Sequence, residues 1–135
     1  MTVEKFLENR FKALDSGDYS AVYASYHADA PFLQQFSDCN AYVCYAQQNL
    51  GEIKIKSWFC PQQREIAAKQ IEAILVMEIA TEAGTQFFYE MALLIATVTG
   101  WSYHSAQKIG AAEFSGTPQQ IDFSCFDEID QKIRF

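Results

Sequence analysis

The spacing of apolar residues changes along the chain, from a helical period in the first 50 residues to a period of two after residue 52. In residues 3–14 most apolar side chains recur at helical spacing, with Thr2 placed to cap the start and Gly17 placed to end the helix. The apolar set is Val3, Phe6, Leu7, Phe11, Ala13 and Leu14. This pattern predicts an amphipathic first helix.

Two more helices are predicted before the change of period. The second is short, is capped by Asp18 or Ser20, and closes before Pro31, because proline disfavours the helical conformation in the residue before it. The third has Ser37 as its N-cap, runs over residues 38–49 and ends at Gly51. The first third of the chain is therefore predicted to be helical.

The second half predicts an antiparallel sheet. Alternation begins at Ile53, and Pro61 is expected to stop the first strand. Turn residues around Gly84 and Gly100 then separate the later strands, which are predicted at residues 66–81, 85–97 and 101–108.

Side-chain alternation also assigns faces within these strands. Residues 53–59 place Ile53, Ile55, Ser57 and Phe59 on one side. In the next strand one side carries Ile71, Ala73, Leu75, Met77 and Ile79, and the other carries Glu72, Ile74, Val76 and Glu78. Residues 85–97 are apolar on both sides, which is typical of a strand covered on both faces. We expect the helices on one face and a partner subunit, forming a homodimer, on the other.

Residues 111–135 are interpreted as a C-terminal extension of a single domain spanning residues 1–135. Thr117-Pro118 with Gln120 has the pattern of a helix start, and Ser124 with Asp127 offers a second one. The apolar stripe that follows is Phe126, Ile129, Ile133 and Phe135. The predicted fold class is thus α+β, with N-terminal helices packed on a strongly curved antiparallel sheet and a short C-terminal helix.

Composition narrows the classes of partner. The net charge is −7, with 17 acidic residues against 10 basic ones, which opposes binding to nucleic acid and to anionic membranes. We expect a cytoplasmic location, because we find neither a secretory signal nor an apolar run of membrane-spanning length. The four cysteines form no Cys-x-x-Cys pair and only two histidines accompany them, so no metal or other cofactor is expected.

Several short segments resemble a known family. Residues 8–19 and 24–27 are similar to the helical start of YchJ-like domains, which belong to the nuclear transport factor 2-like cone-fold superfamily. Similar positions recur later in residues 50–53, 88–90 and 100–103. The chain lacks the cysteine-rich SEC-C segments that usually accompany YchJ-like domains. The resemblance implies an apolar pocket between the concave face of the sheet and the helices.

In related cone-fold enzymes a carboxylate or histidine in that pocket moves a proton, and desolvation raises the pKa of a buried acid toward the useful range. Glu90 and His104 are the candidate catalytic base and acid here, with Glu72 and Glu78 as weaker candidates. The residues expected to line the pocket are Tyr23, Tyr26, His27, Trp58, Trp101 and Tyr103. The structural alternative is that Glu90 pairs with Arg10 or a lysine and that the tyrosines fill a core.

Three hypotheses for function remain open from the sequence. The first is a dimeric module, either accessory or binding a small apolar or amphipathic ligand. The second is a cofactor-free isomerase or dehydratase that uses proton transfer. The third is a structural domain that binds another protein. No motif in the sequence chooses among these.

Overall fold

The structure is a computed structural model that describes residues 2–127. Three α-helices open the chain: α1 (Val3–Ser16), α2 (Tyr19–Ser25) and α3 (Cys39–Leu50). A 3₁₀ helix at Pro31–Gln35, which the sequence pattern did not predict, connects α2 to α3.

Short polar residues fix the ends of these helices. The Thr2 hydroxyl accepts a hydrogen bond from the Lys5 amide, and Gly17 takes the left-handed conformation (φ 77°), both as predicted. Asp18 caps α2 by accepting from the Ala21 amide. The predicted Ser37 cap of α3 was wrong, because Asp38 accepts from the Ala41 amide instead.

The second half forms one four-stranded antiparallel sheet that is not closed into a barrel. Its strands are β1 (Lys54–Ala67), β2 (Gln70–Thr81), β3 (Gly84–Thr97) and β4 (Gly100–Ile109), and their spatial order follows the chain. The sheet is curved, as expected for this class. The predicted α+β class, with N-terminal helices and a short C-terminal helix, is confirmed.

Two boundaries of the first hairpin differ from the prediction. Pro61 does not end β1, because it lies on an edge strand at an irregularity between Phe59 and Gln62, where no ladder hydrogen bond is required of it. The strand predicted at 66–81 is divided by a tight turn. Lys69 occupies the left-handed region at that turn (φ 63°) although it is not glycine.

We call the face of the sheet that packs on the helices the inner face. It carries Ala73, Leu75, Ala92 and Leu94, which pack against residues of α1 including Leu7 and Phe11. Ile71 and Met77 join the same cluster, as the alternation predicted. The prediction that Ile55 and Phe59 lie on the same face of β1 was wrong. Ile55 packs on the inner face, and Phe59 packs on the opposite face. A register shift between Ile55 and Ser57 causes the exchange.

We call the opposite side the outer face, and residues 110–127 the C-terminal segment. Ile74, Val76 and Met91 of the outer face pack against Ile121 and Phe126 of that segment. The segment contains α4 (Phe123–Asp127), and the Cys125 amide donates to the Asp122 carboxylate rather than to the predicted cap, Ser124. The helix predicted from Thr117 is only a 3₁₀ turn, Pro118–Gln120.

The chain itself therefore covers part of the face on which we expected a partner subunit. Ile129, Ile133 and Phe135 of the predicted stripe lie outside the described residues.

A bulge in β4 decides which of its side chains reach the inner face. Leu93 pairs with Ser105 and Leu94 pairs with Tyr103, so His104 is an extra residue in the ladder. Before the bulge Tyr103 packs on the inner face, and after it Ala106 does.

Candidate functional site

A cavity of about 300 Å³ lies between the inner face and the helices. Aromatic and aliphatic side chains form most of its wall, among them Leu14, Phe32, Leu50, Ile53, Ile55, Met77, Ile79 and Phe88. Its polar lining residues are Arg10, Tyr26, Tyr42, Tyr45, Glu90, Tyr103 and Lys108. An apolar chamber with a few converging polar groups is the usual form of a small-molecule site.

Arg10 is the buried cation in the lining of this cavity. It lies on α1, is only 8% exposed, and its Nε donates a 3.2 Å hydrogen bond to the Ser25 hydroxyl. Its Cζ lies 3.9 Å from the ring centroid of Tyr103 and 5.2 Å from that of Tyr26. Two aromatic faces therefore stabilise the guanidinium.

The net effect of these surroundings favours the charged form of Arg10. Burial alone would lower the pKa of the guanidinium, but Tyr26, Tyr103 and Glu90 together outweigh burial and raise it. A buried positive charge is therefore a permanent feature of the cavity.

Glu90 lies beside this cation and is bound by Tyr103. The Tyr103 hydroxyl donates a 3.0 Å hydrogen bond to Oε1 of Glu90, and both side chains are buried. Desolvation, followed by the charge of Glu90, raises the pKa of Tyr103 well above its ordinary value. Tyr103 thus stays protonated and can act as a hydrogen-bond donor at neutral pH.

The Tyr26 and Tyr42 phenols continue the polar side of the cavity. Burial raises the pKa of both hydroxyls, and for Tyr26 this outweighs the opposing effects of Arg10 and a hydrogen bond with Tyr42. The rings of Tyr26 and Tyr42 meet edge to face at 6.1 Å. The tyrosines are accordingly neutral groups that can donate and accept hydrogen bonds.

Of the eight residues proposed from the sequence, three line this cavity: Glu90, Tyr26 and Tyr103. Trp58 stacks on Phe11 and lines a separate cleft of about 130 Å³. Trp101 lines a groove of about 340 Å³ between α1, α2 and the β3–β4 turn. Tyr23 packs against Tyr42 in the helical cluster instead.

The two histidines come together elsewhere, at the edge of β4. Their ring centroids are 5.7 Å apart. His27 Nδ1 accepts a hydrogen bond from the Asp29 amide, two residues along the chain. His104 Nδ1 and the Ser105 hydroxyl are 2.9 Å apart. The residue that donates to Glu90 is Tyr103, which takes an inner-face position because the bulge leaves His104 as the extra residue of β4.

Arg10 and Lys108 are lining residues that were not predicted from the sequence as part of a pocket. Lys108 is the cross-strand partner of Glu90 and is exposed, so it lies where the cavity meets solvent. The face of β4 on which Lys108 lies depends on the bulge, and no glycine in the sequence marks the position of that bulge. The sequence does contain a signal for Arg10, because it lies at helical spacing from the apolar residues Phe6 and Leu7 of the first helix. Arg10 was considered only as a structural partner for Glu90.

Within residues 2–127, no three His, Cys, Asp or Glu side chains are grouped so that they could hold a metal ion. No helix in the same range combines the length and apolarity needed to cross a bilayer. A scan against protein-family models, a search of curated proteins and a search of solved structures each found no match to this chain. The fold and the cavity define the class, an α+β protein with an aromatic chamber between its helices and sheet.

Proposed function

We propose that this protein binds a small amphipathic molecule in the cavity between the inner face and the helices. One observation carries the proposal: a mainly apolar chamber contains a buried cation, Arg10, beside the hydrogen-bonded pair Tyr103 and Glu90. Apolar walls supply binding energy through desolvation, and a few fixed polar groups orient the ligand. A cavity of about 300 Å³ suits a compact ligand.

The order of elements supports membership in the nuclear transport factor 2-like superfamily, and this assignment is part of the proposal. The homodimer predicted from the two-sided apolar strands also remains a proposal. Its interface would lie on the outer face beside or over the C-terminal segment. Sedimentation equilibrium tests it, since a monomer at all protein concentrations would exclude this arrangement.

Fluorescence titration with a neutral apolar probe, N-phenyl-1-naphthylamine, tests the binding function. We expect saturable binding and a rise in Tm, because a ligand that binds only the folded state stabilises it. Ile79→Trp places a larger side chain in the cavity wall and should abolish binding. Ile66→Trp makes the same change at a residue that is 46% exposed outside the cavity and should leave binding intact. Equal binding by both variants would place the probe elsewhere.

The hydrogen bond between Tyr103 and Glu90 also favours a second candidate function, cofactor-free proton transfer. Glu90 would act as the base, and Tyr103 would replace His104 as the nearby proton donor. The test is exchange of a carbon-bound proton of a bound ligand in deuterium oxide, followed by NMR. Glu90→Gln should abolish exchange while the ligand still binds. A wild-type protein that binds without exchange supports binding alone.

A further inference from the structure

We infer that the ligand is a small monocarboxylate whose carboxylate pairs with Arg10 while its hydrocarbon body fills the apolar part of the chamber. This inference rests on the proposed binding function and adds the chemical class of the ligand.

The first support is the incomplete pairing of Arg10. A guanidinium carries five N–H donors, and buried charges in proteins are normally paired with an opposite charge. Ser25 accepts from Nε, and Tyr26 is the second acceptor in contact. None of the ion pairs within residues 2–127 joins Arg10 to a carboxylate. Donors therefore remain on a buried cation that lines the cavity.

The second support is the position of Glu90. Its Oε1 accepts the Tyr103 hydroxyl, and the Tyr103 ring lies against the guanidinium. The negative charge of Glu90 thus lowers the electrostatic cost of burying Arg10. It does so without accepting hydrogen bonds from the N–H groups of the guanidinium. A planar carboxylate fits that fork with two parallel hydrogen bonds, which is the strongest pairing an arginine makes.

The third support is the charge balance of the lining. Among the buried residues of the lining, Arg10 carries the positive charge and Glu90 the negative one, and Glu90 is bonded to Tyr103. One carboxylate matches the single buried cation of the lining, whereas a dianion would add a second negative charge near Glu90. A cationic ligand is disfavoured because Arg10 already occupies the Tyr26 and Tyr103 ring faces.

The apolar part of the wall indicates the rest of the molecule. Leu14, Phe32, Met77, Ile79 and Phe88 offer no charge and suit an aromatic or branched hydrocarbon. The ligand would therefore have one ionised end and one apolar end.

Calorimetric titration of the wild-type full chain with matched acid and amide pairs tests the inference. The probes are phenylacetate, 1-naphthylacetate, cyclohexylacetate and octanoate, each beside its primary amide. Every pair that binds should favour the acid by about tenfold to a hundredfold, the range for a hydrogen bond to a charged group. Equal or tighter binding of the amides would overturn the inference and leave the binding function standing. Failure of every acid and amide, and of the neutral naphthylamine probe, would overturn both.

A variant then locates the effect. Arg10→Gln should bring the acid-to-amide ratio close to one, whereas Lys12→Gln removes a positive charge from the exposed side of α1 and should keep the wild-type ratio. Retention of the preference in folded Arg10→Gln would overturn the assignment to Arg10. If this variant does not fold, the wild-type ratio still decides the ligand class, and Arg10→Lys, which keeps the charge and loses the fork, tests the pairing through a smaller ratio.

Discussion

The Cζ atom of Arg10 lies 3.9 Å from the ring centroid of Tyr103, and the hydroxyl of that same ring donates to Glu90. One aromatic side chain thus contacts a buried cation with its face and binds a buried carboxylate with its edge. The arrangement keeps two opposite charges near each other without a direct ion pair. It also means that a substitution can remove the hydroxyl contact with Glu90 while the ring contact with Arg10 is kept.

Tyr103→Phe removes the hydroxyl and retains the ring. We expect a loss of about 1–3 kcal/mol in the free energy of unfolding, because Glu90 would remain buried without this donor. Urea denaturation measures the change. Tyr89→Phe makes the same change on the outer face, away from Glu90, and should lower stability less than Tyr103→Phe does. Equal effects of the two substitutions would contradict the role given to the hydroxyl.

Stability should fall at alkaline pH because of the buried tyrosines. The folded pKa of Tyr103 and that of Tyr26 are raised above that of an unfolded tyrosine, about 10. Between the unfolded and folded values the native state binds more protons than the unfolded state, so its stability decreases as pH rises. The full contribution is present below about pH 10. Denaturation curves across this range should show a steeper loss for wild type than for Tyr103→Phe.

Arg64 fastens the C-terminal segment to the outer face. Its Nε lies 2.9 Å from Glu72, its two terminal nitrogens bind Asp127 at 3.0 and 2.9 Å, and its Cζ lies 4.1 Å from the ring centroid of Phe123. Arg64→Met should therefore destabilise the protein by about 1–3 kcal/mol, because Glu72 is buried and loses this partner.

Hydrogen exchange in the C-terminal segment provides the more specific measurement for Arg64→Met. Protection of residues 110–127 should decrease more than protection of β2. Lys12→Met, which removes a surface pair with Glu8, is the control and should leave the exchange of the C-terminal segment unchanged. Unchanged exchange in the segment would show that Arg64 does not hold it.

Lys69→Gly should stabilise the β1–β2 hairpin. Lys69 has φ 63°, a conformation that costs a residue with a Cβ about 1–2 kcal/mol, and the entropy cost of glycine offsets part of the gain. We expect a net gain of about 0.5–1 kcal/mol in thermal or urea unfolding. Ala68→Gly, next to it in the turn, adds flexibility without relieving a positive φ and should stabilise nothing.

The sequence predicted the layers and most of the side-chain faces. Glycines mark the β2–β3 and β3–β4 turns, and the alternation of β2 placed Ile74 and Val76 on the face opposite Ala73 and Leu75, as the two core clusters confirm. These predictions succeeded because a period of two leaves little choice once a strand is located.

The errors have a common physical cause. The Ala68–Lys69 turn contains no glycine, proline, asparagine or aspartate, and the bulges of β1 and β4 have no residue preference strong enough to mark them. One extra residue in β4 exchanged His104 for Tyr103 beside Glu90. The cavity depends on that exchange, so its chemistry could not be predicted from alternation alone.

The β4 bulge has a consequence for mutational scanning of this strand. Inner-face positions are odd-numbered before it, at Trp101 and Tyr103, and even-numbered after it, at Ala106 and Lys108. Deleting His104 would remove the extra residue, so Tyr103 and Ser105 would become neighbours and keep their pairing with Leu94 and Leu93. Such a deletion would give β4 one plain alternation while leaving Tyr103 and Ala106 on the inner face.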